Sequence, residues 1–146
     1  MILDLKEVYK SGKESRDFFF LYEPDEELST IPNVSVVLPV KVNGTLTLTG
    51  THSCLVEGEI TFSLKGECSR CLKETEKEYF TSFSEEVSDG ENGYKVINDT
   101  VDLGKIADDA ILTEMPLVLL CDENCKGLCG TCGKDLNEGD CGCRKQ

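Results

Sequence analysis

At 146 residues, 39% of them hydrophobic, the chain is long enough for one domain with its own core; its longest apolar run, residues 115–120, falls far short of the roughly 20 residues that cross a bilayer. Its 28 Asp plus Glu against 15 Lys plus Arg give a formal net charge of −13, which argues against tight non-specific RNA binding by the whole surface and favours basic protein partners. Asp4, Lys6 and Glu7 interrupt the N-terminus where a secretory signal would be apolar, so the expected location is cytoplasmic, where nine cysteines favour metal binding over disulfides.

Residues 1–10 alternate loosely, as a first strand or a short helix would. Gly12 marks a turn, and Phe18-Phe19-Phe20-Leu21-Tyr22 reads as a buried strand. Residues 24–32 form an acidic linker around Asp25-Glu26-Glu27, expected to be solvated. From Val34 the period becomes two: Val34, Val36 and Leu38, then Val40 and Val42. Asn43-Gly44 is a strong hairpin signal, and Leu46 and Leu48 alternate with threonines after it. Val56, Gly58, Ile60, Phe62 and Leu64 share one face of a strand that delivers the chain to Cys68. Residues 75–87 read as a further strand with Tyr79, Thr81 and Phe83 on one face; short connections make these strands antiparallel. Residues 89–100 read as a loop.

One main helix follows over residues 102–114, with Asp102 as N-cap and Leu103, Ile106, Ala107, Ala110 and Ile111 on one face. Pro116 limits it, and residues 117–120 are expected to run extended and buried into Cys121. The fold class is α+β: a mainly antiparallel β-sheet or open barrel, one main helix, and a Cys-rich metal-binding C-terminal segment. The expected division is a mainly β domain over 1–120 and a zinc-binding tail over 121–146, packed on the C-x-x-C at 68–71.

The chemistry lies in eight closely paired cysteines: Cys68 with Cys71, Cys121 with Cys125, Cys129 with Cys132, and Cys141 with Cys143. Thiols two or three residues apart can converge on one ion, and four thiolates close a zinc tetrahedron with no open position, which makes the site structural. The preferred grouping puts Cys68, Cys71, Cys121 and Cys125 in one site and Cys129, Cys132, Cys141 and Cys143 in another; pairing Cys68 and Cys71 with Cys129 and Cys132 is the alternative. One or two structural Zn²⁺ ions are expected. Gly133 lets the chain turn behind the 129–132 pair, and an extended backbone would put the sulfurs of Cys141 and Cys143 on one side. Cys54 reads as core filler and His52 as a surface residue, because neither has a partner at chelating spacing. Lys65, Arg70 and Lys73 make a small basic cluster that could touch RNA.

The segments G-E-C-S-R-C-L (66–72), V-D-L-G-K-I-A-D-D-A-I-L-T-E-M-P-L-V-L-L-C (101–121) and C-K-G-L-C-G-T-C-G-K-D-L-N (125–137) resemble the bacterial YceD family, the large-ribosomal-RNA-subunit accumulation proteins. The resemblance covers most of the chain and is most specific over 66–143. It carries no catalytic residues and implies a role in large-subunit rRNA accumulation, hence ribosome assembly. The expected function is thus a non-enzymatic zinc-binding factor that binds a ribosomal protein or large-subunit precursor, with no membrane and no small-molecule substrate involved. The competing class is a thiol redox or metal-transfer protein using its C-x-x-C motifs, which in catalytic form usually sits in a thioredoxin-like βαβ context.

Overall fold

Long stretches of alternating apolar and polar residues make strands that bury one face and wet the other. A computed structural model describes residues 1–24, 27–90 and 93–143; positions 25, 26, 91, 92 and 144–146 lie outside the described residues. The element order is β1 (Ile2–Asp4), α1 (Leu5–Lys10), β2 (Ser15–Tyr22), β3 (Val34–Gly50), β4 (Ser53–Glu67), β5 (Glu74–Ser88), β6 (Val96–Ile97), β7 (Thr100–Asp102) and α2 (Leu103–Glu114). Strands β2-β3-β4-β5 form one antiparallel sheet and β1-β7-β6 a second, smaller one; neither closes on itself. No helix among the described residues is long and apolar enough to cross a membrane.

The core lies on one face of the large sheet. Val34, Val36, Val40, Val42 and Leu46 of β3 join Val56, Ile60, Phe62 and Leu64 of β4, and α2 closes over them with Leu103, Ile106, Ala107 and Ile111. Each fully buried aliphatic or Phe side chain contributes about 1.5–3 kcal/mol relative to exposure. Helix α2 has the predicted limits: the Asp102 carboxylate accepts from the Gly104 amide at 2.8 Å, and the chain turns extended at Met115, before Pro116. The N-terminal ten residues are both strand and helix, β1 and then α1, with Asp4 capping the turn between them.

Several sequence expectations give way to neighbours that only folding supplies. Asn43-Gly44 is not a turn: β3 runs straight through it, and the β3–β4 hairpin turns at Thr51-His52 instead. Gly44 sits in a row across all four strands, Phe18–Gly44–Gly58–Phe83. A Cβ on Gly44 would lie 2.8 Å from the Phe18 ring, and one on Gly58 2.7 Å from the Phe83 ring. The two edge phenylalanines thus lie over the glycines and fill the space that the missing side chains leave.

The β3–β4 register shifts between Val37 and Lys41, leaving Leu38 exposed. In β2 only Phe18 is fully buried, while Phe19 and Leu21 face solvent, because an edge strand has one buried face. The linker is packed where it is described: Ile31 is buried and Glu27 accepts from the amides of Ser29 and Val36. Within 89–100 the expected loop contains a hairpin, β6–β7, turned by Asn98 and Asp99 at φ 51° and 59°, a turn that Asn and Asp tolerate.

Candidate metal centre

The first cysteine pair occupies the β4–β5 hairpin loop. Glu67 and Glu74 are the last paired residues, and between them the Cys68 amide donates to the Lys73 carbonyl at 2.8 Å and the Leu72 amide to the Cys68 carbonyl at 2.9 Å. Leu72 takes the left-handed φ of 62° that this tight loop demands. Two long paired strands therefore fix the positions of both sulfurs. The second pair arrives from α2. Residues 117–120 do not form the buried extended run expected of them: Leu117 is 95% exposed and Val118 half-exposed, and only Leu119 is fully buried. Leu119 anchors the segment in the core, and its carbonyl accepts from the Ser69 amide at 2.7 Å, placing Cys121 beside the hairpin loop.

The sulfurs of Cys68, Cys71, Cys121 and Cys125 all lie within 4.8 Å of one another. Cys68 Sγ is 3.7 Å from Cys125 Sγ, and Cys71 Sγ 3.5 Å from Cys121 Sγ. A tetrahedron with Zn–S bonds of about 2.3 Å has edges of about 3.8 Å, so the donor set has the size such an ion needs. Three of its cysteines are buried, and Leu120 and Leu128 pack against them.

The second set repeats the first in miniature. The Cys129 amide donates to the Lys134 carbonyl at 2.8 Å and the Gly133 amide to the Cys129 carbonyl at 2.9 Å, the same bonds at the same spacing as in residues 68–73. Gly133, at φ 75°, stands where Leu72 stands in the first loop, and a Leu128–Asp135 bridge replaces the strand pair. Cys129, Cys132, Cys141 and Cys143 again bring four sulfurs within 4.8 Å. Cys141 and Cys143 do not converge by extension, as the sequence suggests: Gly142 turns at φ 82°, and its amide donates to the Asp140 carboxylate at 3.0 Å. This set is the more open of the two, with Cys132 exposed and only Cys129 buried.

Electrostatics separates the sulfurs within each set. Burial pushes the Cys68 thiol up, but backbone amides of Cys71, Cys121 and Arg70 outweigh it and bring the group down to about 6. Backbone amides of Cys132 and Thr131 likewise hold Cys129 at about 6. Cys125 is lowered chiefly by the Asn137 side-chain amide. Cys121, hydrogen-bonded to Cys71 and desolvated, is pushed up to about 12, and Cys143, bonded to Cys141, also to about 12. Four sulfurs this close cannot all carry charge unaided. A divalent cation would remove the obstacle, since a coordinating thiol is deprotonated outright. Both sets thus have the spacing and donor chemistry to hold a metal ion.

The two sets are also joined. Asn137, in the loop of the second, donates from Nδ2 to Cys125 Sγ of the first at 3.3 Å and accepts from the Lys126 amide at 2.9 Å. Lys73 meets Asp135 at 3.0 Å, and the Leu136 amide donates to the Gly127 carbonyl at 2.9 Å. Sequence reading missed Asn137; its only signal is an amide side chain in a ligand loop. The basic cluster is internally engaged: Lys65 pairs with Glu74, Arg70 donates to the Cys125 carbonyl, and Lys73 pairs with Asp135 and Glu138. Cys54 is fully buried in the core, where burial raises its thiol to about 11, and His52 is exposed and meets Asp99 at 3.1 Å.

Uncharacterized proteins of Mycobacterium bovis and Mycobacterium tuberculosis are each 30% identical over 96 residues, covering 59% of this chain and 46% of theirs. One of Mycobacterium leprae is 30% identical over 96 residues, covering 59% of this chain and 44% of its own. The match spans about half the length of these curated relatives. No solved structure is significantly similar to the chain. A family model described as "Large ribosomal RNA subunit accumulation protein YceD" matches residues 56–146, a stretch that begins inside β4 and contains both four-cysteine sets. The chain therefore belongs to the YceD family.

Proposed function

We propose that the chain is a non-enzymatic, cytoplasmic zinc-binding factor in ribosome biogenesis that supports large-subunit rRNA accumulation by binding a ribosomal protein or precursor. The observation that carries this reading is the family match over the segment holding both four-sulfur sets. Zinc fits because the sets are all-sulfur, tetrahedral in size and closed, with no position left for a substrate. On this reading residues 1–120 are a mainly β domain, and residues 121–146 are a tail stapled to the 68–71 loop through Cys121 and Cys125. The ion at Cys68, Cys71, Cys121 and Cys125 holds sheet and tail together; the ion at Cys129, Cys132, Cys141 and Cys143 holds the tail's own turn. A formal charge of −13 favours a basic protein as the direct partner.

The test is co-sedimentation of the tagged chain with large-subunit precursors, together with rRNA levels in a depleted strain. Unchanged large-subunit rRNA on depletion counts against the role. Elemental analysis of protein purified without added metal should give up to two zinc ions per chain.

A thiol redox or metal-transfer role is the second reading, favoured by the exposure of Cys132. Both C-x-x-C pairs lie in hairpin loops and not at a helix N-terminus, which argues against a thioredoxin-like reaction. Reduction of insulin disulfides by the metal-loaded protein would support the redox alternative.

A further inference from the structure

The large sheet leaves one long strand open. Strand β5 pairs with β4 along its whole length, and among the described residues the only strand pairing on its other side is a single bridge between Ser88 and Lys95, while α2 packs beside it. Edge strands are ordinarily guarded by charge. Glu74, Glu76 and Glu78 guard the start of β5, and Glu85 and Glu86 its end. Between them Phe80-Thr81-Ser82-Phe83-Ser84 carries no charge, and Phe80 is 67% exposed.

This unguarded window lines three overlapping clefts, of about 610, 510 and 240 Å³. Their remaining walls are neutral residues of β3, β4 and α2 together with Tyr94, and every charged group among them is acidic: Glu57 and Glu59 on the outer face of the sheet, Glu85 on β5, and Asp109 and Glu114 on α2. No Lys, Arg or His lines any of them among the described residues. Unpaired backbone groups offer main-chain hydrogen bonds to an extended chain. The carboxylates on both sides select positive side chains, because residues of an added strand alternate between the two faces. The exposed Phe80 ring suits the stem and head of an Arg or Lys.

We propose that the open edge of β5, at residues 80–84, takes an extended Lys/Arg-bearing segment of a basic protein as an added antiparallel or parallel strand. The proposal rests on the ribosome-assembly reading for the identity of the partner, and on the edge geometry for the mode of binding. Nucleic acid is disfavoured at this place by the same carboxylates.

The probe is a fluorescein-labelled ten-residue peptide alternating lysine and threonine, titrated against the metal-loaded full chain and followed by anisotropy and amide exchange. The expected result is binding that slows exchange at residues 80–84. A fully N-methylated peptide, which cannot donate to the ladder, should bind at least about tenfold more weakly, and so should the native peptide to a Glu59→Lys/Glu114→Lys variant with two exposed charges reversed. No binding, equal binding in either control, binding that leaves exchange at 80–84 unchanged, or preference for a single-stranded oligouridylate would each overturn the proposal. Co-sedimentation separates it from the broader reading. Loss of precursor association in the variant alone supports the edge. Association by both proteins removes the edge and leaves the ribosomal role, whereas association by neither removes the ribosomal role and leaves the edge to the peptide data.

Discussion

Replacing Cys121 by Ala should cost this protein a large part of its stability, and replacing Cys132 should not. Cys71 and Cys121 are 50 residues apart and Cys68 and Cys125 57, so an ion shared by the four restrains a long loop of the unfolded chain. Treated as a cross-link over a loop of that length, it removes loop-closure entropy equivalent to about 4 kcal/mol at 25 °C. Native domains are typically stable by roughly 5–15 kcal/mol, so the loss is a substantial fraction of the whole. At about 2–4 °C per kcal/mol for a domain of this size, the Cys121→Ala transition should fall by roughly 10 °C. Cys132 belongs to a set confined to residues 129–143, so losing it releases the tail's local turn and leaves the sheet and α2 joined. The assay is calorimetric melting of wild type, Cys121→Ala and Cys132→Ala, each with measured metal content. A Cys121→Ala melt within about 2 °C of wild type, or an equal fall in Cys132→Ala, would refute the long-range staple.

Three further outcomes follow from the same geometry. Leu72, exposed and left-handed at the position where Gly133 stands in the second loop, carries backbone strain of about 1–2 kcal/mol. Leu72→Gly should stabilise the protein by roughly 0.5–1 kcal/mol in denaturant titration, the strain relieved less the glycine's entropy cost; a destabilised variant would show that the side chain matters more than the φ angle. Asn137→Ala removes the amide that holds Cys125 Sγ, so metal should pass from the protein to a competing chelator roughly tenfold more readily. Metal affinity should fall as the pH drops from neutral, because Cys121 and Cys143, pushed up to about 12, must give up their protons to the ion, and should fall more steeply below about 6, where Cys68 and Cys129 take up protons as well. An acid titration that monitors bound metal checks the sign: affinity that rises on acidification would overturn the thiolate assignment.

Much of the fold follows from contiguous residues. The limits of α2 were readable because Asp102 caps it, five apolar residues keep a helical period, and Pro116 stops it. Strands β4 and β5 were readable from alternation, and Cys54 was readable as core filler because it has no partner at chelating spacing. Eight thiols at chelating spacing pointed to two four-sulfur clusters that could hold an ion, because the turn between close cysteines is a local property. Two of the misreadings share one origin. Asn43-Gly44 has the local chemistry of a hairpin, but Gly58, Phe18 and Phe83 arrive from other strands and give the glycine a place inside a sheet. Residues 117–120 look like a buried run, yet only Leu119 finds the core. Which sulfurs meet, that Asn137 reaches Cys125, and that residues 80–84 remain an open edge are facts about chain path. Period, turn and donor type act over a few bonds and are written in neighbouring residues; the gathering of groups 50 residues apart depends on how β4, β5 and α2 pack, which no local stretch encodes.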